Sequence, residues 1–188
     1  NEKTTIAEKK KILIIGGSQG AKFFDEFITK IIIKLSKIEK IQVLQQVINQ
    51  NSKENIKEFY QKNHIEHELF HFDDKLLMQA INYDLAITRS GASTISELAY
   101  LNIPFVAIPY PYAKDNHQYY NAEFYEKNKS CWLIMQKDID ENNFTDLMVK
   151  ILQDQNEYFS KKNNLIKLNK ENTWEKNKSK LIELINEN

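Results

Sequence analysis

Short apolar runs alternate with stretches of helical periodicity along most of the chain. Residues 11–15 form a compact, β-branched run that ends at Gly16-Gly17, which predicts a buried strand and a turn. From Ala21 to about Leu35, Phe23, Phe24, Phe27, Ile28 and Ile31 recur at helical spacing, so a helix with one buried face is expected. The same pattern predicts strands over 42–48, 68–72, 85–88, 105–108 and 131–135. Between them, helices are expected over 52–63 capped by Ser52, 75–82 capped by Asp74, 94–101, and 116–128 capped by Asp115. Further polar helices, including 144–152 and 174–185, fill the remainder, and the lysine-rich stretch 160–180 reads as a solvated helical face.

Strictly alternating strands and helices imply an α/β fold: a Rossmann-like parallel sheet with helices on both faces. Such sheets bind ligands beyond the carboxyl ends of their strands, near the point where strand order reverses. Residues 1–10 are polar and read as a linker or leader, and residues 11–188 as one domain with a sizeable core.

Composition narrows the class. With 41% hydrophobic and 28% charged residues, the chain is expected to be a folded globular protein rather than a disordered one. A formal net charge of zero disfavours a generally basic nucleic-acid binder, so no nucleic-acid partner is expected. Cys131 is the single cysteine, which excludes a disulfide framework or a cysteine-built zinc site and fits a cytoplasmic setting. It reads as an inert core thiol, and Trp132 beside it as buried. No apolar run approaches the ~20 residues of a membrane span. Neither a metal nor a cofactor is expected.

The candidate chemistry lies in two loops that hold all four glycines of the chain. The first is Gly16-Gly17-Ser18-Gln19-Gly20-Ala21. Glycines allow close backbone approach, and the following helix start offers free N–H groups and a positive dipole end to an anion. The spacing is neither GxGxxG nor a P-loop, and a turn without ligand fits it equally. The second is Arg89-Ser90-Gly91-Ala92-Ser93-Thr94, with Arg89 the only arginine. Gly91, Ala92, Ser93 and Thr94 could hold a diphosphate on N–H and hydroxyl donors. Glu97 could accept both vicinal hydroxyls of a ribose, or could close a capping box with Thr94.

A third segment, Pro109 to Gln118, follows the fifth strand. Asp115, Asn116, His117 and Gln118 suit sugar hydroxyls, although Asp115-x-x-Gln118 is itself a capping-box pattern. His117 lacks a second histidine or acid at ligand spacing and reads as a polar surface histidine rather than a metal ligand or base.

Taken together, Ile-Ile-Gly-Gly-Ser-Gln-Gly-Ala (14–21), Arg-Ser-Gly-Ala-Ser-Thr-Ile-Ser-Glu (89–97) and Lys-Asp-Asn-His-Gln-Tyr-Tyr-Asn-Ala (114–122) resemble the MurG family. These bacterial transferases move N-acetylglucosamine from UDP onto the undecaprenyl-diphosphate-linked muramyl-pentapeptide of peptidoglycan synthesis. The resemblance runs from about residue 11 to the C-terminus. It implies the C-terminal, donor-binding domain of a GT-B glycosyltransferase, inverting and metal-independent, with UDP-N-acetylglucosamine as ligand. By the same resemblance Ser18, with Gly17 and Gln19 in its loop, faces the diphosphate or sugar, and Phe72 meets the uracil. Ala92, Ser93 and Thr94 bind the phosphates, Glu97 the ribose, and Gln118 the N-acetylglucosamine. Family members often carry Gln-Gln where this chain has His117-Gln118.

The family's N-terminal domain, with its catalytic base, acceptor surface and peripheral contact to the inner face of the plasma membrane, has no counterpart in these residues. No catalytic residue is therefore expected within the chain, and the last helices are expected to pack against that domain. A subunit of a split glycosyltransferase, a non-catalytic nucleotide-sugar sensor and a sugar-nucleotide epimerase of the same architecture are the competing expectations.

Overall fold

The computed structural model describes residues 9–17, 22–71 and 80–171. Six parallel strands form one sheet: β1 (Lys10–Ile15), β2 (Ile41–Gln46), β3 (Glu66–Phe70), β4 (Leu85–Thr88), β5 (Phe105–Ala107) and β6 (Trp132–Leu133). Their order across the sheet is β3-β2-β1-β4-β5-β6. The chain moves outward from β1 to β3, returns to the centre, and moves out the other way from β4. The reversal lies between β1 and β4, where Ile12 pairs with Leu85 and Ile15 with Thr88.

Every residue of β4 and β5 is buried, as a strand covered on both faces requires. The period-two alternation sorts β1 between two cores: Ile12 and Ile14 join one, Leu13 and Ile15 the other.

The first core is covered by the helices that follow β1, β2 and β6. A single π turn, Phe24–Ile28, leads into α1 (Thr29–Leu35), where the Thr29 N–H reaches back to Phe24 O. Next come α2 (Gln50–Lys62) and α5 (Glu141–Gln153). Phe24, Ile31, Ile32, Ile56, Phe144 and Met148 meet there. The second core is covered by α3 (Ala92–Tyr100), α4 (His117–Lys127) and α6 (Gln155–Glu171), through Ile95, Leu98, Ala122 and Leu165.

Several boundaries differ from the sequence expectation. Asn49, not Ser52, caps α2, and its side chain accepts from the Ser52 N–H. β2 and β3 each begin earlier than expected, at Ile41 and Glu66, and β6 is cut to Trp132–Leu133. α5 starts at Glu141 because Asp140 and Asn143 form a reciprocal capping box there. Asp115 does not cap α4. It has φ 51° inside a 3-10 turn, Lys114–Asn116, and Asn116 takes the left-handed N-cap position with no side-chain bond. α6 takes in the first part of the lysine-rich stretch as a helix but buries Tyr158 and Leu165, so that part is not merely a solvated face. The expected Asp74 cap, most of the helix over 75–82 and the helix over 174–185 fall outside the described residues.

Candidate functional site

Two turns flank the sheet's reversal point. At the end of β1, Gly17 has φ +64°, and its N–H donates to Gln46 Oε1 at 2.9 Å. Among the described residues, a Cβ at this position would meet only Arg89 Cβ, at 4.0 Å. Conformation, not space, is therefore what demands glycine here. Ser18, Gln19 and Phe72 lie outside the described residues.

At the end of β4 the geometry speaks against the capping reading of Glu97. Gly91 is the N-cap of α3, in extended conformation (φ −61°, ψ 138°), with no side-chain cap bond. The helix thus begins two residues before the expected Thr94, and Thr94 and Glu97 occupy its third and sixth positions. No capping box forms. The N–H groups of Ala92, Ser93 and Thr94 are the first of the helix and have no intrahelical acceptor. Ala92 and Ser93 are exposed, while Thr94 and Glu97 are half-buried. Among the described residues the Glu97 carboxylate has no hydrogen-bond or ion-pair partner. An open helix start with hydroxyls beside it and a free carboxylate further along can take an anion at one end and a diol at the other.

The segment after β5 supplies the third wall. Gln118 does not close a capping box with Asp115. Its Oε1 instead accepts the Tyr110 N–H at 3.0 Å. His117 is exposed, and its Nδ1–H donates to Lys114 O at 2.7 Å, as suits a surface histidine. Among the described residues no cluster of His, Cys, Asp and Glu could hold a metal ion.

Arg89 is the residue that the sequence reading passed over. It is 4% exposed, and its guanidinium sits 5.2, 5.1 and 5.5 Å from the rings of Phe23, Phe24 and Tyr110. Nη1 donates to Ile108 O and Pro109 O, each at 3.0 Å, and Nη2 to Gln136 Oε1 at 2.6 Å. Burial pushes its pKa down to about 10, which leaves it cationic at neutral pH. A lone arginine among lysines, at a strand end, was the available signal; its partners come from segments far apart in the chain.

A separate cavity of about 440 Å³ lies on the outer helical layer between the π turn, α1 and α2, lined by Asp25, Thr29, Ser52 and Phe59 among others. It includes no residue of the β4 or β5 turns.

Comparison with known proteins places this arrangement in a class. Residues 11–180 match the model for the glycosyltransferase family 28 C-terminal domain, and the chain belongs to that family. It is 45% identical over 177 residues to the UDP-N-acetylglucosamine–N-acetylmuramyl-(pentapeptide) pyrophosphoryl-undecaprenol N-acetylglucosamine transferase of Pelagibacter ubique, covering 94% of this chain and 49% of that protein. The enzyme of the same name from Rickettsia canadensis is 39% identical, with 85% and 46% covered. The chain spans about half the length of these curated relatives. Among solved structures, Acinetobacter baumannii MurG superposes with a TM-score of 0.73 at 23% identity, over 88% of this chain and 46% of that one. The C-terminal CMP-Kdo binding domain of WaaA from the same organism gives 0.62 at 12% identity, over 86% and 89%. The fold is that of a GT-B C-terminal domain, and the chain is MurG-like.

Proposed function

We propose that this chain is the UDP-N-acetylglucosamine-binding half of an inverting glycosyltransferase that delivers the sugar to an undecaprenyl-diphosphate-linked muramyl-pentapeptide. The observation that carries this reading is the uncapped start of α3 with Glu97, unpartnered among the described residues, further along the same helix. The N–H groups of Ala92, Ser93 and Thr94 take the diphosphate, and Glu97 the ribose hydroxyls. Gln118 and His117 face the sugar. Ser18, in the loop with Gly17 and Gln19, and Phe72 complete the site as in the family. Names of the 45% and 39% identical relatives support the choice of donor and acceptor.

In the reaction, the acceptor hydroxyl attacks the anomeric carbon as UDP departs. The α3 N-terminus and its hydroxyls offset the charge that grows on the diphosphate, in place of a metal ion. The general base, the acceptor surface and contact with the inner face of the plasma membrane belong to the other half of the enzyme. The chain alone binds donor and does not transfer it.

Calorimetric titration with UDP, UDP-N-acetylglucosamine, UDP-N-acetylgalactosamine and UDP-glucose tests this. The N-acetylglucosamine donor should bind best, and Glu97→Ala should weaken all four ligands by about tenfold or more, the loss of hydrogen bonds to a charged acceptor. A folded chain that binds no uridine nucleotide would overturn the reading.

A further inference from the structure

The Arg89 side chain joins segments that the sheet keeps apart. It leaves the end of β4 beside Gly17 and reaches Phe23 and Phe24 after β1, Ile108, Pro109 and Tyr110 after β5, and Gln136 after β6. Its own backbone opens the turn that leads into α3. Among the described residues no carboxylate faces it: apart from burial, its only electrostatic neighbour there is the Tyr110 phenol. The planar fork is committed to two carbonyls on one arm and an amide oxygen on the other. What Arg89 contributes is therefore direction rather than charge pairing.

That direction leads to Gln118. The Pro109 carbonyl held by Nη1 is bonded to the Tyr110 nitrogen, and the Tyr110 N–H holds Gln118 Oε1 at 3.0 Å. With its oxygen taken, Gln118 keeps its amide N–H groups for a ligand, and among the described residues nothing accepts from them.

We infer that Arg89 is a positioning residue that sets the Gln118 amide in register with the phosphate-binding start of α3, without touching the ligand. The inference rests on the donor-site reading above. It makes Arg89 the element that couples recognition of the sugar to recognition of the diphosphate. A lysine at this position keeps the charge but can reach only one side of the fork's partners.

The test compares UDP with UDP-N-acetylglucosamine on wild type, Arg89→Lys, Gln118→Ala and the double variant. Arg89→Lys should cost about tenfold in affinity for the sugar nucleotide and less than about threefold for UDP. The double variant should bind no worse than the weaker single one, because both cut one chain of contacts. Equal losses for the two ligands, or none, would overturn the inference, since a merely structural role lowers both together. A ligand-free arm separates this from failure of the donor reading: hydrogen exchange at the Tyr110 amide should rise about tenfold in Arg89→Lys while the β1 and β4 amides keep their protection. Unchanged exchange at Tyr110 refutes the inference even if no uridine nucleotide binds to wild type. Should Arg89→Lys fail to fold, Gln136→Ala cuts only the Nη2 bond and should show the same selective loss at about threefold.

Discussion

The N–H of Gly17 donates to Gln46 Oε1 at 2.9 Å, tying the turn after β1 to the end of β2. The bond holds Gly17 at φ +64°, where an added Cβ would make only ordinary contact with Arg89 Cβ among the described residues. Gly17→Ala therefore tests conformation alone. The left-handed backbone costs an L-residue about 1–2 kcal/mol. For a chain of this size the melting temperature should fall by roughly 2–8 °C. A variant that melts with wild type would show that the turn relaxes freely.

Glu97 and Thr94 make a second decisive pair, because they share a helix and do not cap it. Glu97→Gln should leave the melting temperature unchanged within the scatter of surface substitutions, about 0.5 kcal/mol. UDP affinity should fall about tenfold, the difference between a charged and a neutral acceptor. Thermal melts and calorimetry on one sample separate the two effects. Affinity intact would restore the capping role, since a capping box accepts Gln as it accepts Glu.

How much of this was legible beforehand follows from where the signals lie. The β-branched runs over 11–15, 85–88 and 105–108 could only be buried strands, and they marked the carboxyl edge and its loops. The start of α3 misled because Thr94-x-x-Glu97 copies a capping box, while Ala92 and Ser93 fit a first turn without announcing it. Asp115 looked like a cap because Asp and Asn side chains bond backbone readily. The same side chains tolerate left-handed φ, and the chain uses them for that instead. Arg89 stood out only as the lone arginine at a strand end, because each of its contacts is tertiary.

Asp25 shows a conflict that a charge-neutral substitution should relieve. Its Oδ2 accepts the Ile48 N–H at 3.2 Å, while Oδ1 is buried without a partner. Burial raises its pKa above the ordinary 3.8, against the bonds that lower it. The native state thus holds this proton at higher pH than the unfolded chain does. The stability that comes from protonated Asp25 is complete below pH 3.8 and is lost as pH rises through the native value. Asn keeps an oxygen for Ile48 and carries no charge. Asp25→Asn should therefore exceed wild type in urea midpoint at pH 7, with the advantage shrinking as pH falls toward 3.8. An equal advantage at both ends would mean that burial of the charge is not its source.

Cys131 offers a readout of the opposite edge of the fold. The thiol is 1% exposed and leans on Ala122 O at 3.7 Å. Burial pushes its pKa up to about 12, so almost no thiolate exists near neutrality. α6 seals the position: Lys161 Nζ donates to Cys131 O at 2.9 Å and lies 4.7 Å from the Trp132 ring centroid. Ellman's reagent at pH 8 should therefore leave the native chain unmodified and label one thiol at once in denaturant. Lys161→Ala should speed native labelling, because it removes the bond and the ring contact that hold α6 over β6. The melting temperature should fall only slightly, since Leu165 still anchors that helix in the second core. Rapid labelling of the wild-type chain, or a Lys161→Ala variant that labels no faster, would show that α6 does not guard this edge.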